Sequence, residues 1–177
     1  MQMFNHGIIT AMLFLLVGVI YDRAHHRYIF FPKDHEKSGE LGFGGLNSKL
    51  PVYGGFVALA FFAGLGLPAL SGFISEAMCF LGGFSVFRTL TIIGTLGILL
   101  NAVYFLRAYQ HMFFGKLNEN YNNLTDMTGR ELVTLVPLAI IVIVLGVYPA
   151  PLLDIISPTL DSLIDIIQGA PSLLGMR

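Results

Sequence analysis

Charge is scarce in this sequence. Only 12% of its 177 residues are Asp, Glu, Lys or Arg, whereas 55% are hydrophobic and mean hydropathy is +0.73. Soluble domains carry about a quarter charged residues, so this composition excludes an ordinary water-facing shell and reads as a membrane protein. Basic charge is not in excess either: Lys and Arg number 10, Asp and Glu 11, and the net charge is −1. That balance offers no polyanion-binding surface, which argues against a nucleic-acid partner. Cysteine occurs once, as Cys79, excluding an internal disulfide and any cysteine-based zinc or iron–sulfur site. Neither a G-x-x-x-x-G-K-[ST] phosphate loop nor H-E-x-x-H is present. "GELGFGG" is glycine-rich without a strand before it or a helix after it, so it is a weak phosphate signal. His25, His26 and His35 lie in a polar stretch with acids nearby, and a solvated loop is a better reading of them than a metal site.

What the chain has is long apolar runs. Crossing a hydrocarbon core of roughly 30 Å takes about 20 helical residues, and four blocks qualify: Met3 to Tyr21, Pro51 to Phe84, Phe87 to Phe114, and Leu132 to Tyr148. The first lacks the basic flank and A-x-A-like site of a signal peptide, so it is read as a membrane helix. It begins as abruptly as an internal segment would. Segment 22–50 carries Arg23, Arg27, Lys33, Lys37 and Lys49, and segment 107–131 carries Arg107, Lys116 and Arg130. With four spans these two loops share one side, and their basic content assigns that side to the cytoplasm and the C-terminus to the outside. The expected fold is all-α, a polytopic helix bundle. Residues 1–152 form its membrane domain, and 153–177 an amphipathic helix and tail.

The second block is too long for one straight span, at about 51 Å, and too short for two. Its "GLGLPALSG" stretch contains Pro68 and three glycines, predicting a break or bend near residues 66–72. Helices broken at membrane depth survive where the freed backbone is buried in protein or lines a hydrated cavity, and they often mark ion sites. Glu76 lies one or two turns beyond the break. An intramembrane carboxylate costs roughly 2.5–3.5 kcal/mol or more, so it calls for a function, and proton carriage is the chemistry that a carboxylate between burial and a basic neighbour can perform. The alternative is a carboxylate that snorkels or bonds a neighbouring helix.

His6 could relay a proton through its two ring nitrogens or sit as a packed residue. Thr91, Thr95, Asn101 and Tyr104 read first as helix-packing groups, able also to hold a water chain. Gly94 and Gly97 permit close helix approach, and Arg107 snorkels. Beyond the fourth block, "SPTLDSLIDIIQG" places Leu160, Leu163, Ile164 and Ile167 on one helical face and Asp161 and Asp165 on another. Ser157 is the expected N-cap and Pro158 the first helical residue. The acidic polar face favours docking on a neighbouring protein over anionic lipid.

"FNHGIITAMLFLLVGVIYDRAHHR", "GGLNSKLP", "LGLPALSGFISE" and "RAYQHMFFGK", in this order, resemble the C-terminal part of the antiporter-like membrane subunit M of bacterial NADH:quinone oxidoreductase, respiratory complex I. The resemblance runs from His6 to about Leu163. It implies a fragment: that subunit has fourteen spanning helices in two inverted repeats, and the four blocks here match its last four, the second being the discontinuous one. It implies that Glu76 is the ionisable residue of the second half-channel and His6 a relay in the same proton path. It implies that Tyr21, Asp22, Arg23, His25 and Arg27 cap a helix end. It places NADH, FMN, iron–sulfur clusters and quinone on other subunits, with none in this chain. The expected partners are the other membrane and peripheral subunits of the complex and the lipid bilayer, in a bacterial inner membrane. A subunit of a multisubunit sodium/proton antiporter, or an inactive fragment, is the alternative. Two departures stand out: Ala69 and Ser75 occupy positions where the family usually has glycine.

Overall fold

The computed structural model describes residues 1–29 and 42–173, with side chains to residue 168; His35 and Lys33 lie outside them. Every regular element among the described residues is helical. Helix α1 spans Gln2–Ala24, α2 Pro51–Gly64, α3 Ser71–Val86, α4 Arg88–Phe113, α5 Gly129–Val147 and α6 Ala150–Leu173. Short 3-10 turns cover Leu46–Ser48 and Glu119–Tyr121. Helices α1, α4 and α5 are long and apolar enough to cross a membrane, whereas α2 and α3 are each shorter. The chain is an integral membrane protein, helical in all the regular structure of its described residues.

The second apolar block divides where glycine and proline cluster. Residues 65–70 leave the helical path, with Gly66 at φ 73° and Ala69 at φ 74°. Helices α2 and α3 nevertheless lie alongside successive stretches of α4. Tyr109 donates to Gly54 O (3.3 Å), Phe105 packs edge-on against Phe61 (4.9 Å between centroids), and Asn101 donates to Gly64 O (2.7 Å). Farther on, Gly94 faces Phe80 and Gly83 faces Thr91. The pairs run in opposite directions along the two strands of contact, so α4 is antiparallel to α2 and then to α3. Phe87 alone separates α3 from α4.

The two polar loops meet at one end of the bundle. Arg23 of α1 reaches Glu131 at the start of α5 (2.8 Å to each carboxylate oxygen) and the carbonyls of Thr125 (2.8 Å) and Asp126 (3.2 Å). Asp126 in turn accepts from Val52 N–H (2.9 Å) and Tyr53 N–H (3.1 Å), occupying two of the unpaired donors at the first turn of α2. A carboxylate there also complements the positive end of the helix dipole. Gly45 N–H bonds Phe114 O (3.1 Å). Beneath this polar rim lies the main core, built on Met12, Leu16, Leu50, Tyr53, Phe113 and Leu135.

The C-terminal helix starts earlier than its sequence suggests. Ser157 is not the N-cap and Pro158 is not the first helical residue, because α6 already begins at Ala150; the Ser157 hydroxyl bonds back to Leu153 O (2.8 Å). The "PAP" stretch that marks the exit of α5 supplies Pro151 at the first turn of α6, where a missing N–H costs nothing. The apolar residues Leu160, Leu163, Ile164 and Ile167 are about half exposed.

Candidate functional site

Glu76 sits in the second turn of α3, just past the 65–70 break. Its carboxylate lies over Gly66. A Cβ at position 66 would approach Glu76 Oε2 to 2.5 Å and push the carboxylate aside, and the positive φ of Gly66 independently favours glycine. Half-buried, Glu76 lines a cavity of about 490 Å³ between α1, α3 and α4. Gln2, Asn101 and Tyr104 supply its other polar groups, and Gly94 and Gly97 open its wall.

Two asparagines from neighbouring helices bond carbonyls that flank the break. Asn101 of α4 donates to Gly64 O (2.7 Å) at the end of α2, and Asn5 of α1 donates to Ser71 O (2.8 Å) at the start of α3. This is the packing role read for Asn101. Asn5 escaped notice because one asparagine in an apolar run has no spacing to reveal it. Gly146 of α5 allows the loop itself to press close: a Cβ there would overlap Ala69 O and the Leu70 backbone. Gly72 similarly lets α3 pass against Ala63 O.

His6 is placed differently. It lies on an exposed face of α1, with Thr10 Oγ1 at 3.5 Å, and is not among the residues lining the Glu76 cavity. Residues 2 and 5 turn toward α3 and residue 6 turns away. Thr91 bonds the carbonyl of Phe87, the residue before α4 (3.0 Å), and Thr95 that of Ile92 in its own helix (2.6 Å). Tyr104 lines the cavity and Arg107 is exposed.

These features have counterparts in known proteins. Residues 1–101 match the family described as NADH:quinone oxidoreductase/Mrp antiporter, transmembrane. The chain belongs to that family. It is 38% identical over 164 residues to NADH-quinone oxidoreductase subunit M of Rhodobacter capsulatus, covering 92% of this chain and 30% of that protein. Against the subunit M of Rickettsia conorii the identity is 34%, over 92% of this chain and 31% of the relative. For the Mycobacterium tuberculosis subunit M it is 35%, over 92% and 27%. The chain thus spans about a third of the length of these relatives.

Ala69 and Ser75, the two residues on either side of the start of α3 singled out above, have distinct structural consequences. Ala69 adopts a left-handed φ of 74° despite its Cβ, a conformation that costs roughly 1–2 kcal/mol for a residue other than glycine. Ser75 is buried and its hydroxyl bonds across to α1, accepting from Asn5 Nδ2 (3.2 Å) and donating to Gln2 Oε1.

The histidines after α1 hold structure together. His25 is the left-handed C-cap of α1 (φ 57°), its N–H on Tyr21 O (2.8 Å). His26 bonds Tyr121 Oη (2.7 Å) and stacks on Phe43 (4.7 Å). Burial lowers the His26 pKa and raises that of Tyr121. Among the described residues, no three His, Cys, Asp or Glu side chains come together as a metal site. Of the "YDRAHHR" signature, Arg23 and His25 secure the helix end, while Tyr21, Asp22 and Arg27 are exposed.

Proposed function

We propose that this chain is the carboxy-terminal part of the antiporter-like membrane subunit of a proton-translocating NADH:quinone oxidoreductase, and that it conducts protons coupled to electron transfer from NADH to quinone. The observation that carries the reading is a carboxylate, Glu76, just past a helix break and facing an open cavity between α1, α3 and α4. The similarity to three subunit M proteins over 92% of the chain supports it. Helices α2 and α3 act as one discontinuous span, the second of four, because together they follow the length of α4. Residues 1–152 are the membrane part and 153–177 the amphipathic segment. The basic loops face the cytoplasm of a bacterial inner membrane and the C-terminus faces outward, where α6 docks on a neighbouring subunit.

Glu76 carries the proton by alternating between its charged and neutral forms as the cavity opens to one side and the other. His6 relays toward it from α1, on a face that further helices of a full-length subunit cover. NADH, FMN, iron–sulfur clusters and quinone belong to other subunits, which are the partners of this one. The family description also names Mrp antiporters, and a sodium/proton antiporter subunit is the competing assignment.

Glu76→Gln in the complete subunit is expected to leave assembly intact and reduce NADH-driven proton pumping at least tenfold. An unchanged proton-to-electron stoichiometry would refute the assignment of Glu76. Co-purification with flavin and iron–sulfur subunits supports the oxidoreductase; antiporter subunits without NADH oxidation would replace it with the second assignment.

A further inference from the structure

Where α1 crosses the start of α3, three polar side chains are sealed from solvent: Asn5 is 0% exposed, Ser71 1% and Ser75 1%. The Asn5 amide donates to Ser71 O (2.8 Å) and to Ser75 Oγ (3.2 Å). Two atoms of the same cluster, Asn5 Oδ1 and Ser71 Oγ, have no partner among the described residues. Leaving a buried acceptor and a buried hydroxyl unpaired forfeits the hydration of both with nothing in return. They belong to residues already joined through the Asn5 amide, and they are complementary to water, which donates to an amide oxygen and accepts from a hydroxyl. The cluster also leads outward. The Ser75 hydroxyl donates to Gln2, and Gln2 lines the cavity that holds Glu76.

We propose that Asn5 and Ser71 bind a water molecule between α1 and α3, and that Ser75 and Gln2 join this water to the Glu76 cavity. The water site stands on the two unpaired buried atoms alone. Its route of influence on Glu76, through Ser75 and Gln2, rests on the proton-carrying reading above. Along that route the hydroxyls of Ser71 and Ser75 and the amides of Gln2 and Asn5 orient one another, and the proton itself stays on Glu76 and the groups of its cavity. Ser71 and Ser75 are positioning residues for Glu76 in this scheme, and the charge on the carboxylate changes only at Glu76.

A density map of the intact complex, at a resolution that shows ordered water, tests the site. Density within about 3.2 Å of both Asn5 Oδ1 and Ser71 Oγ is expected. A clear map in which protein groups satisfy the two atoms, or in which neither has a neighbour, overturns the site. Ser71→Ala and Ser75→Ala in the complete subunit test the route. Each is expected to slow NADH-driven pumping three- to tenfold and to shift its pH profile, with Ser75→Thr restoring both more nearly than Ser75→Ala. If both alanine variants pump with the parental rate and pH profile while Glu76→Gln loses pumping, the route is wrong and the role of Glu76 stands. If Glu76→Gln pumps normally, the route fails with that role, and the map still decides the water site.

Discussion

Replacing Arg23 by methionine keeps most of the aliphatic stem and removes five hydrogen bonds: two to the Glu131 carboxylate, and one each to the carbonyls of Val19, Thr125 and Asp126. The pair is partly buried, with the Arg23 and Glu131 side chains 12% and 18% exposed. Removing one partner of a buried ion pair costs roughly 3–5 kcal/mol, because the other charge is left uncompensated. Two features place this site at the lower end. Glu131 keeps a bond from Thr128 N–H (2.7 Å), and it sits in the first turn of α5, where the helix dipole favours an anion. The expected loss is therefore about 3 kcal/mol. Arg23→Lys should recover only part of it, since an ammonium cannot bridge both carboxylate oxygens and two loop carbonyls at once. The assay is equilibrium unfolding in mixed micelles, followed by circular dichroism, for Arg23→Met, Glu131→Leu and the double variant. A coupling energy of about 2 kcal/mol or more between the positions is expected. A value below about 0.5 kcal/mol, that of an exposed surface pair, would refute the claim that this clasp holds α1 to α5.

Other tests address the break and the loops. Ala69→Gly should raise stability by about 0.5–1 kcal/mol, since relief of the left-handed strain exceeds the entropy glycine adds to the unfolded chain; an unchanged or lower thermal midpoint would count against strain at 69. Gly146→Ala should cost more than about 2 kcal/mol, because its Cβ overlaps Ala69 O and Leu70, and the combination with Ala69→Gly should not rescue it; parental stability of Gly146→Ala would show that the loop is not pressed on α5. The His26 pKa is lowered in the folded state, so the folded chain binds fewer protons than the unfolded one as pH falls through about 6.5, the ordinary histidine value. The His26 contribution is therefore complete above that value and is lost on acidification through the lowered folded pKa. Hydrogen-exchange protection factors at residues 42–45 and 119–122, corrected for the intrinsic rate at each pH, should fall on acidification toward pH 5, and His26→Gln should remove that part of the pH dependence.

The helices were legible because the bilayer imposes length and composition directly. The starts and ends of α1, α4 and α5 follow the apolar blocks to within a few residues, and the Gly–Pro cluster announced the gap between α2 and α3. Glu76 was conspicuous because a carboxylate in an apolar run has so few explanations. What the sequence concealed are partnerships across the fold. Asp126 looks like a loop residue, yet it caps α2 from far along the chain. Asn5 has no pattern around it, and only the approach of α3 shows what its amide serves. The start of α6 was misplaced for a different reason. Ser157–Pro158 is a sound cap signal, but Pro151 carries the same signal earlier, and Pro158 then falls inside α6, where it removes one backbone hydrogen bond without ending the helix. His6 shows the remaining limit: hydropathy places a residue in a span but does not say which way it faces.

The joint at Phe87 bears on how the spans connect. Helices α3 and α4 are separated by that one residue. With α2 and α3 as one span, as proposed above, Pro51–Phe113 is a helical hairpin with a single residue at its turn. Arg88, resting over the Phe84 ring at 5.0 Å, lies at its tip.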